Sequence, residues 1–299
     1  MHHSSQHQEC GACGSSALVG LFAAHDRNQR TTADSFSVAR CTACGIVQTV
    51  PRPAESDLAS LYPVQYFPAT VDRISQHRFQ QDKVLLVRKH RNTGSLLDVG
   101  AGIGLFVQEA RDAGYQAMGI EISGQAVATG LQHSDVPLVH GDFLTTDLPD
   151  AGFDVVTFWH VFEHLLHPYD VLKKVHRILR PQGILVIAVP NFASLQARLF
   201  RSRWYHLDLP RHLFHFSPST LQATVERAGF SVQEIHYRWR DHDSAGILGS
   251  VMKLSPPGET LLHRAVRKIV GIPVARAAAE AELMITHSGG AFAIVATRA

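Results

Sequence analysis

The sequence predicts an α/β protein: a parallel sheet with helices on both faces, preceded by a small cysteine-rich module. Three observations carry this. Short apolar runs alternate with helix-length amphipathic segments from Leu96 to Val189. The stretch Leu96–Phe106, LLDVGAGIGLF, joins a buried run to a helix start through a turn with glycines at 100, 102 and 104. All four cysteines fall in two CxxCG pairs, Cys10/Cys13 and Cys41/Cys44. Alternating strands and helices build a parallel sheet because each crossover must cover an apolar face. A composition of 45% hydrophobic and 18% charged residues is that of an ordinary globular chain.

Taken in order, the two CxxCG pairs come first. A CxxC turn aims two thiolates at one point, and two such turns supply the four sulfurs of a tetrahedral zinc. One structural zinc per chain, held by Cys10, Cys13, Cys41 and Cys44, is therefore expected. Two disulfides or a redox CxxC are the competing readings. Leu18–Ala24 and Phe36–Ala39 can form a small sheet between the pairs, and Ile46–Pro53 leaves the module as a strand. Glu55–Leu61 reads as a short helix followed by the aromatics Tyr62, Tyr66 and Phe67. Arg73–Arg91 reads as a basic amphipathic helix whose charges form a solvated face.

The main domain follows. Strands are predicted at Leu96–Val99, Ala117–Ile120, Leu138–His140, Phe153–Trp159 and Gly183–Val189. Helices are predicted at Phe106–Ala113, Ser123–Leu131 with Ser123 as N-cap, and Pro168–Leu179. Ser217-Pro218 opens a further helix that ends at Gly229, because serine caps and proline suits the first helical position. Phe230–Arg240 and Gly290–Thr297 read as the last two strands. The segment between them, Asp241–Gly289, is too long for a hairpin and reads as a helical insertion. Its apolar stripe, Leu261, Leu262, Ala265, Val266 and Ile269, suits a substrate cap or a dimer contact better than a membrane surface.

The glycine turn fails the dinucleotide spacing, because position six counted from Gly100 is Leu105. An acid, Asp98, two residues before alternate glycines resembles motif I of the class I S-adenosylmethionine-dependent methyltransferases. CTACGIVQTVPRP…LASLYPVQYF resembles the start of a bacterial family in which a zinc knuckle precedes such a domain. Those relatives act on nucleotide-linked sugars and on cell-surface polysaccharide or secondary-metabolite precursors. The resemblance implies a Rossmann-like seven-stranded sheet whose final strand is antiparallel. It implies S-adenosyl-L-methionine as cofactor and S-adenosyl-L-homocysteine as product. It also implies a division into a zinc-binding module (1–54), a linker with a helix (55–92), a methyltransferase domain (93–240 plus 286–299) and the inserted helices (241–285).

By the same resemblance, Asp98, Gly100, Gly102 and Gly104 shape the turn under the amino-acid end of the cofactor. Glu121, 23 residues after Asp98, takes the ribose hydroxyls, with Ile122 beside it. Asp142 and Phe143 stand at the adenine position, and His160 neighbours cofactor and acceptor. After the fourth strand HVFEHLLHP places His160, Glu163 and His164 at i, i+3 and i+4, on one face of a turn. A general base, His160 or His164, is one reading. A metal site of the Glu-x-x-Glu-His kind, with a later histidine, is a second, and a packed helix start is the third. His206, Arg211, His212 and His215 follow the fifth strand in a segment resembling the family's lid, with His212 as a further catalytic candidate. Arg211 can clamp an anion there, Trp204, Tyr205 and Phe214 can stack on a ring, and Arg198, Arg201 and Arg203 can attract a phosphorylated substrate.

The function expected is methyl transfer to a hydroxyl or carbon of a small-molecule acceptor: a sugar, nucleotide-sugar, glycolipid or secondary-metabolite precursor. A nucleic-acid methyltransferase with a zinc knuckle and a non-catalytic cofactor-binding scaffold are the alternatives. A formal charge of +2 shows no basic footprint for nucleic acid. The segment MHHSSQHQEC lacks the apolar core of a secretory signal, no apolar run reaches the ~18 residues of a transmembrane helix, and the cytoplasm is the expected compartment.

Overall fold

The structure is a computed structural model that describes residues 9–62, 73–133, 135–237, 239–252 and 270–298. Tyr66, Phe67 and the stripe from Leu261 to Ile269 lie outside the described residues.

Two sheets organise the chain. The first contains β1 (Leu18–His25), β2 (Ser35–Cys41) and β3 (Val47–Val50), joined in antiparallel order. The second is seven-stranded. Its parallel strands are β4 (Ser95–Val99), β5 (Gln116–Glu121), β6 (Leu138–His140), β7 (Phe153–Trp159) and β8 (Leu179–Pro190). A two-residue strand, β9 (Phe214–His215), leaves this unit and pairs with β3 as the fourth strand of the first sheet. The final pair, β10 (Phe230–His236) and β11 (Ala291–Arg298), completes the large sheet. Its order is β10-β11-β8-β7-β4-β5-β6, with β11 antiparallel to both neighbours, as the resemblance implied.

Helices cover the large sheet on both sides: α1 (Arg73–His90), α2 (Leu105–Asp112), α3 (Gly124–His133) and α4 (Pro168–Ile178). After β8, α5 (Leu195–Phe200) packs Ala197 into the core of the small sheet, and α6 (Pro218–Arg227) returns to the large one. Two buried clusters follow from the strand alternation. Leu97, Val99, Val156, Phe158 and Ile187 face one side, and Leu96, Val155, Val186, Phe106 and Val107 face the other. Capping matches expectation. Ser123 Oγ accepts the Ala126 N–H at 3.2 Å, and Ser217 forms a capping box with Thr220 ahead of Pro218.

Two elements depart from the sequence reading. Glu55–Leu61 is a 3-10 helix. The strand predicted to run to Arg240 stops at His236, and a helix, α7 (Arg240–Met252), begins four residues later. The insertion continues as α8 (Ile272–Thr286). Asp243 of α7 takes the Ala291 N–H at 2.9 Å, and Glu282 of α8 takes the Leu195 N–H at 2.7 Å. These bonds seat the insertion on the fifth-strand exit.

β9 was not foreseen, because a two-residue strand carries no periodic signal. It matters because it is stitched to β3 through side chains too. Thr49 Oγ donates to the His212 carbonyl at 2.6 Å and accepts from His215 Nε2 at 3.1 Å. The cysteine module is thus continuous with the segment that follows β8.

Candidate active site

In open α/β sheets ligands bind at the carboxyl ends of the strands, where the strand order reverses. Here the chain runs outward from β4 to β6 and returns to β7 on the other side, so the crevice lies over the ends of β4, β7 and β5. Gly100 and Gly102 stand at the end of β4 with φ of +72° and +56°. A Cβ on Gly100 would come within 2.4 Å of Val161 Cγ2, whereas one on Gly102 would meet nothing within 4 Å. Gly100 is required by packing and Gly102 by backbone conformation, over open space. Gly104 is also left-handed, directly before α2.

Glu121, at the end of β5, is buried and holds the turn from below. Its two carboxylate oxygens accept the Gly102 N–H and the Ser123 N–H, each at 2.8 Å. Ile122 beside it is 68% exposed. Asp142 accepts the Leu144 and Thr145 N–H groups in its own turn. Phe143 is buried against Phe158 and under the Lys174 ammonium. Asp98 is buried and accepts the Thr157 hydroxyl at 2.7 Å. Burial pushes its carboxyl up to about 7, against the pull of that hydroxyl and of Lys83.

The other half of the crevice is built from histidines. His160 follows β7 with φ +59°, a strained conformation for a non-glycine residue. Its ring stacks on His242 of α7 at 4.0 Å and 7°, and His242 stacks on His206 with the same geometry. The next turn is a 3-10 helix, Phe162–His164. Glu163 is 1% exposed, and both carboxyl oxygens lack a partner among the described residues. His160 Nδ1 and His212 Nε2 lie 3.8 and 3.9 Å from Glu163 Oε1. Glu163, His164 and His212 bring one ligand atom each within 4.8 Å of one another.

Backbone carbonyls select the tautomers. His212 Nδ1 contacts the His206 carbonyl at 2.8 Å, and His164 Nδ1 contacts the Arg211 carbonyl at 3.0 Å. Each Nδ1 therefore carries the proton, and each Nε2 presents a lone pair. Burial pushes Glu163 up to about 8 and holds His160, His164 and His212 below the usual histidine range. The cluster is thus a buried set of neutral acceptors around a protonated carboxyl.

Arg211 is not an anion clamp. It is fully buried, with its guanidinium saturated by Asp26 at 2.7 and 3.1 Å, Asp208 at 2.9 and 3.0 Å, and the Leu61 and Leu209 carbonyls. It ties the β1–β2 loop of the cysteine module to the segment before β9. Trp204 and Phe214 are buried in packing, and the Trp204 Nε1–H donates to Gln196 at 3.1 Å. Arg198 and Arg201 line a separate groove of about 1080 Å³ beside Phe22, Arg40 and Phe192, and none of its lining residues belongs to either half of the crevice.

Sequence reading missed Lys83 and His242. Lys83 was assigned to the solvated face of α1, yet it is buried. The available signal was its place three residues after Gln80 and four before Val87, both also buried. His242 gave no signal, because only the folding back of the insertion brings it to His160.

The four cysteine sulfurs also converge. Cys10–Cys44 and Cys13–Cys41 are 3.6 Å apart, and all four lie within 4.8 Å of one another. Disulfides are excluded at these separations, whereas a tetrahedron with Zn–S bonds of ~2.3 Å has edges of ~3.8 Å. The donor set and spacing fit zinc.

The inserted antiparallel strand, the glycine turn after β4 and the acid closing β5 define a class I S-adenosylmethionine-dependent methyltransferase fold. Residues 71–235 match the methyltransferase-domain family, and the chain belongs to it. A Mycolicibacterium smegmatis protein named a probable S-adenosylmethionine-dependent methyltransferase is 28% identical over 162 residues, which span 52% of this chain and 60% of that relative. A ubiquinone biosynthesis O-methyltransferase of Azorhizobium caulinodans is 26% identical over 215 residues, 68% of this chain and 83% of that protein. Among solved structures, the [4+2]-cyclase SpnF superposes with a TM-score of 0.51 at 20% identity, over 79% of this chain and 85% of its own. That likeness is one of fold. No helix among the described residues is long and apolar enough to cross a membrane.

Proposed function

We propose that this protein transfers a methyl group from S-adenosylmethionine to a hydroxyl of a small-molecule acceptor. The observation that carries the reading is Glu163. Its unpartnered, buried carboxyl is flanked by the Nε2 lone pairs of His164 and His212, one turn from a glycine loop shaped for the cofactor. A buried polar group without a partner costs about 1–3 kcal/mol, so this cluster is built for something that completes it. An acceptor hydroxyl is such a group.

The cofactor supplies an activated methyl, and the protein's task is alignment. Glu121 has lone pairs left for the ribose after its two backbone bonds, and Asp142, Phe143 and the exposed Ile122 frame the adenine. The acceptor oxygen attacks the methyl carbon as the carbon–sulfur bond breaks. Nε2 of His164 or His212 takes the hydroxyl proton, while His160 and Glu163 orient the acceptor. Holding oxygen and methyl about 3 Å apart and in line supplies much of the acceleration.

The acceptor class is a sugar, nucleotide-sugar, glycolipid or secondary-metabolite precursor in the cytoplasm. The name of the Azorhizobium relative supports oxygen as the methylated atom. One structural zinc on Cys10, Cys13, Cys41 and Cys44 belongs to this reading, as does the division into module (1–54), linker (55–92), catalytic domain (93–240 and 286–299) and insertion (241–285). Calorimetric titration with S-adenosylmethionine, followed by a methylation screen across sugar nucleotides and phenols, tests it. A zinc-loaded protein that binds no cofactor would sink it. Zinc content unchanged in Cys41→Ser would remove the four-thiolate site.

A second reading has its own support. Two imidazoles whose Nδ1–H is fixed by a carbonyl, facing an unpartnered carboxyl, are also the donor set of a divalent cation. Methylation that survives exhaustive chelation with the four-cysteine site kept loaded would exclude it.

A further inference from the structure

Apart from the crevice, the chain carries the groove of about 1080 Å³ between the small sheet and the segment that follows β8. Strand alternation builds its floor. Phe36, Val38 and Arg40 share one face of β2, and the first two are buried in the core that this sheet makes with Ala197 and Trp204. Phe22 stands opposite Val38, and Val47 opposite Arg40. The cover runs out at Arg40, which is exposed, and the Phe22 and Phe192 rings, stacked at 6.5 Å and 21°, stay half-buried there. Arg198 of α5 and Arg201 just beyond it line the same groove. Arg201 has φ +47°, where glycine is usual, and its guanidinium carbon lies 5.9 Å from the Phe22 ring centre.

Charge selects the ligand's head. Three arginines line the groove and no aspartate, glutamate or lysine does, in a chain whose 28 lysines and arginines nearly balance 26 aspartates and glutamates. Arg211 is saturated by carboxylates, whereas among the described residues no ion pair or side-chain hydrogen bond holds Arg40, Arg198 or Arg201. Guanidiniums grip phosphate oxygens through paired N–H groups. The rest of the lining selects what the phosphate carries. Leu21, Phe22, Val47, Phe192 and Ala197 are apolar. The polar side chains beside them are committed, His215 Nε2 to Thr49 and Ser217 and Thr220 to their capping box. A nucleobase laid on this floor would leave its own polar atoms unmet, and a hydrocarbon would not. We propose that the groove binds a phosphate ester of a hydrocarbon, of the isoprenyl or alkyl diphosphate class, with Arg40, Arg198 and Arg201 on the phosphates and Phe22 and Phe192 under the chain. The site lies outside the crevice and does not rest on the methyl-transfer reading.

Geranyl diphosphate is the probe, titrated by calorimetry into the full zinc-loaded chain beside inorganic pyrophosphate, geraniol and uridine diphosphate. It should bind about tenfold or more tighter than each of the other three. Arg40→Gln, Arg198→Gln and Arg201→Gln should each weaken it by about fivefold or more, with unchanged urea midpoints as the check on folding. Arg201→Gly suits the left-handed backbone, so a loss of affinity in it reports the guanidinium and not a disturbed loop. Phe22→Leu should weaken geranyl diphosphate by about threefold and leave inorganic pyrophosphate unchanged. Pyrophosphate binding as tightly as geranyl diphosphate would reduce the groove to a general anion patch and overturn the proposal. Tighter binding of uridine diphosphate would overturn it in favour of a nucleotide. Arginine variants that bind geranyl diphosphate like the wild type, or a wild type that does not bind it, would remove the site.

Discussion

The two halves of the crevice differ in how their polar groups are satisfied. In the half over β4 and β5, both Glu121 oxygens are bonded to backbone N–H groups and Asp98 holds a hydroxyl. In the half over β7, the Glu163 carboxyl has no hydrogen-bond partner among the described residues, and His160 Nδ1 and His212 Nε2 stand 3.8 and 3.9 Å from its Oε1. The first half is complete as folded and needs its ligand only for lone pairs left over. The second is held from outside, by carbonyls on the far side of the His164 and His212 rings and by the His242 stack on His160, and its inner face is unfinished. A site finished by its own backbone tolerates any acceptor chemistry nearby, whereas an unfinished one encodes a particular partner.

The largest effect should come from the support behind the histidines. Arg211→Met leaves Asp26 as a buried and Asp208 as a half-buried carboxylate without a cation, and loosens the backbone at 211 whose carbonyl orients His164. Breaking such a pair costs about 3–5 kcal/mol, which urea unfolding would register. A loss under about 1 kcal/mol would mean that the histidine half stands without this support.

A reciprocal pair of variants sharpens the contrast next. Glu163→Gln should lower turnover by about a hundredfold and leave S-adenosylhomocysteine affinity within about twofold. Glu121→Ala should do the opposite at first order, weakening S-adenosylhomocysteine about tenfold by loosening Gly102 and removing the proposed ribose acceptor. Equal effects of both variants on affinity would show that the two halves act as one.

The smallest effect is a slope. His215 closes the strand that roofs the histidine half, and burial depresses its imidazole to about 3. A depressed folded-state value contributes stability that is present above the ordinary histidine range and is lost as pH falls from about 6.5 toward 3. The slope from this one group is at most about 1.4 kcal/mol per pH unit. His215→Gln should flatten the acid limb of stability against pH, and an unchanged limb would place the acid sensitivity elsewhere.

Much of this was legible in the sequence. The seven strands and the Ser217 cap follow from local periodicity and turn chemistry, and the antiparallel last strand from the family resemblance. The four-cysteine cluster was legible as well, because CxxCG brings two sulfurs together within five residues. The histidine cluster was half legible: His160, Glu163 and His164 lie on one turn, and His212 was named from the lid segment. What sequence reading assigned wrongly were residues whose role depends on what folds over them. Lys83 and Arg211 are both cations, and a cation in a sequence reads as solvated or as a clamp. Only the tertiary structure buries one among aromatic rings and saturates the other with Asp26 and Asp208.

The sequence by itself determined the elements, their order and the cofactor turn, since these rest on interactions a few residues apart. Tertiary structure decided what sits across the crevice: β9 on β3, His242 on His160, Trp239 on Trp159. Those contacts join residues tens to well over a hundred positions apart. No local pattern encodes them, because they are set by which faces of the sheet and insertion remain to be covered once the local structure has formed.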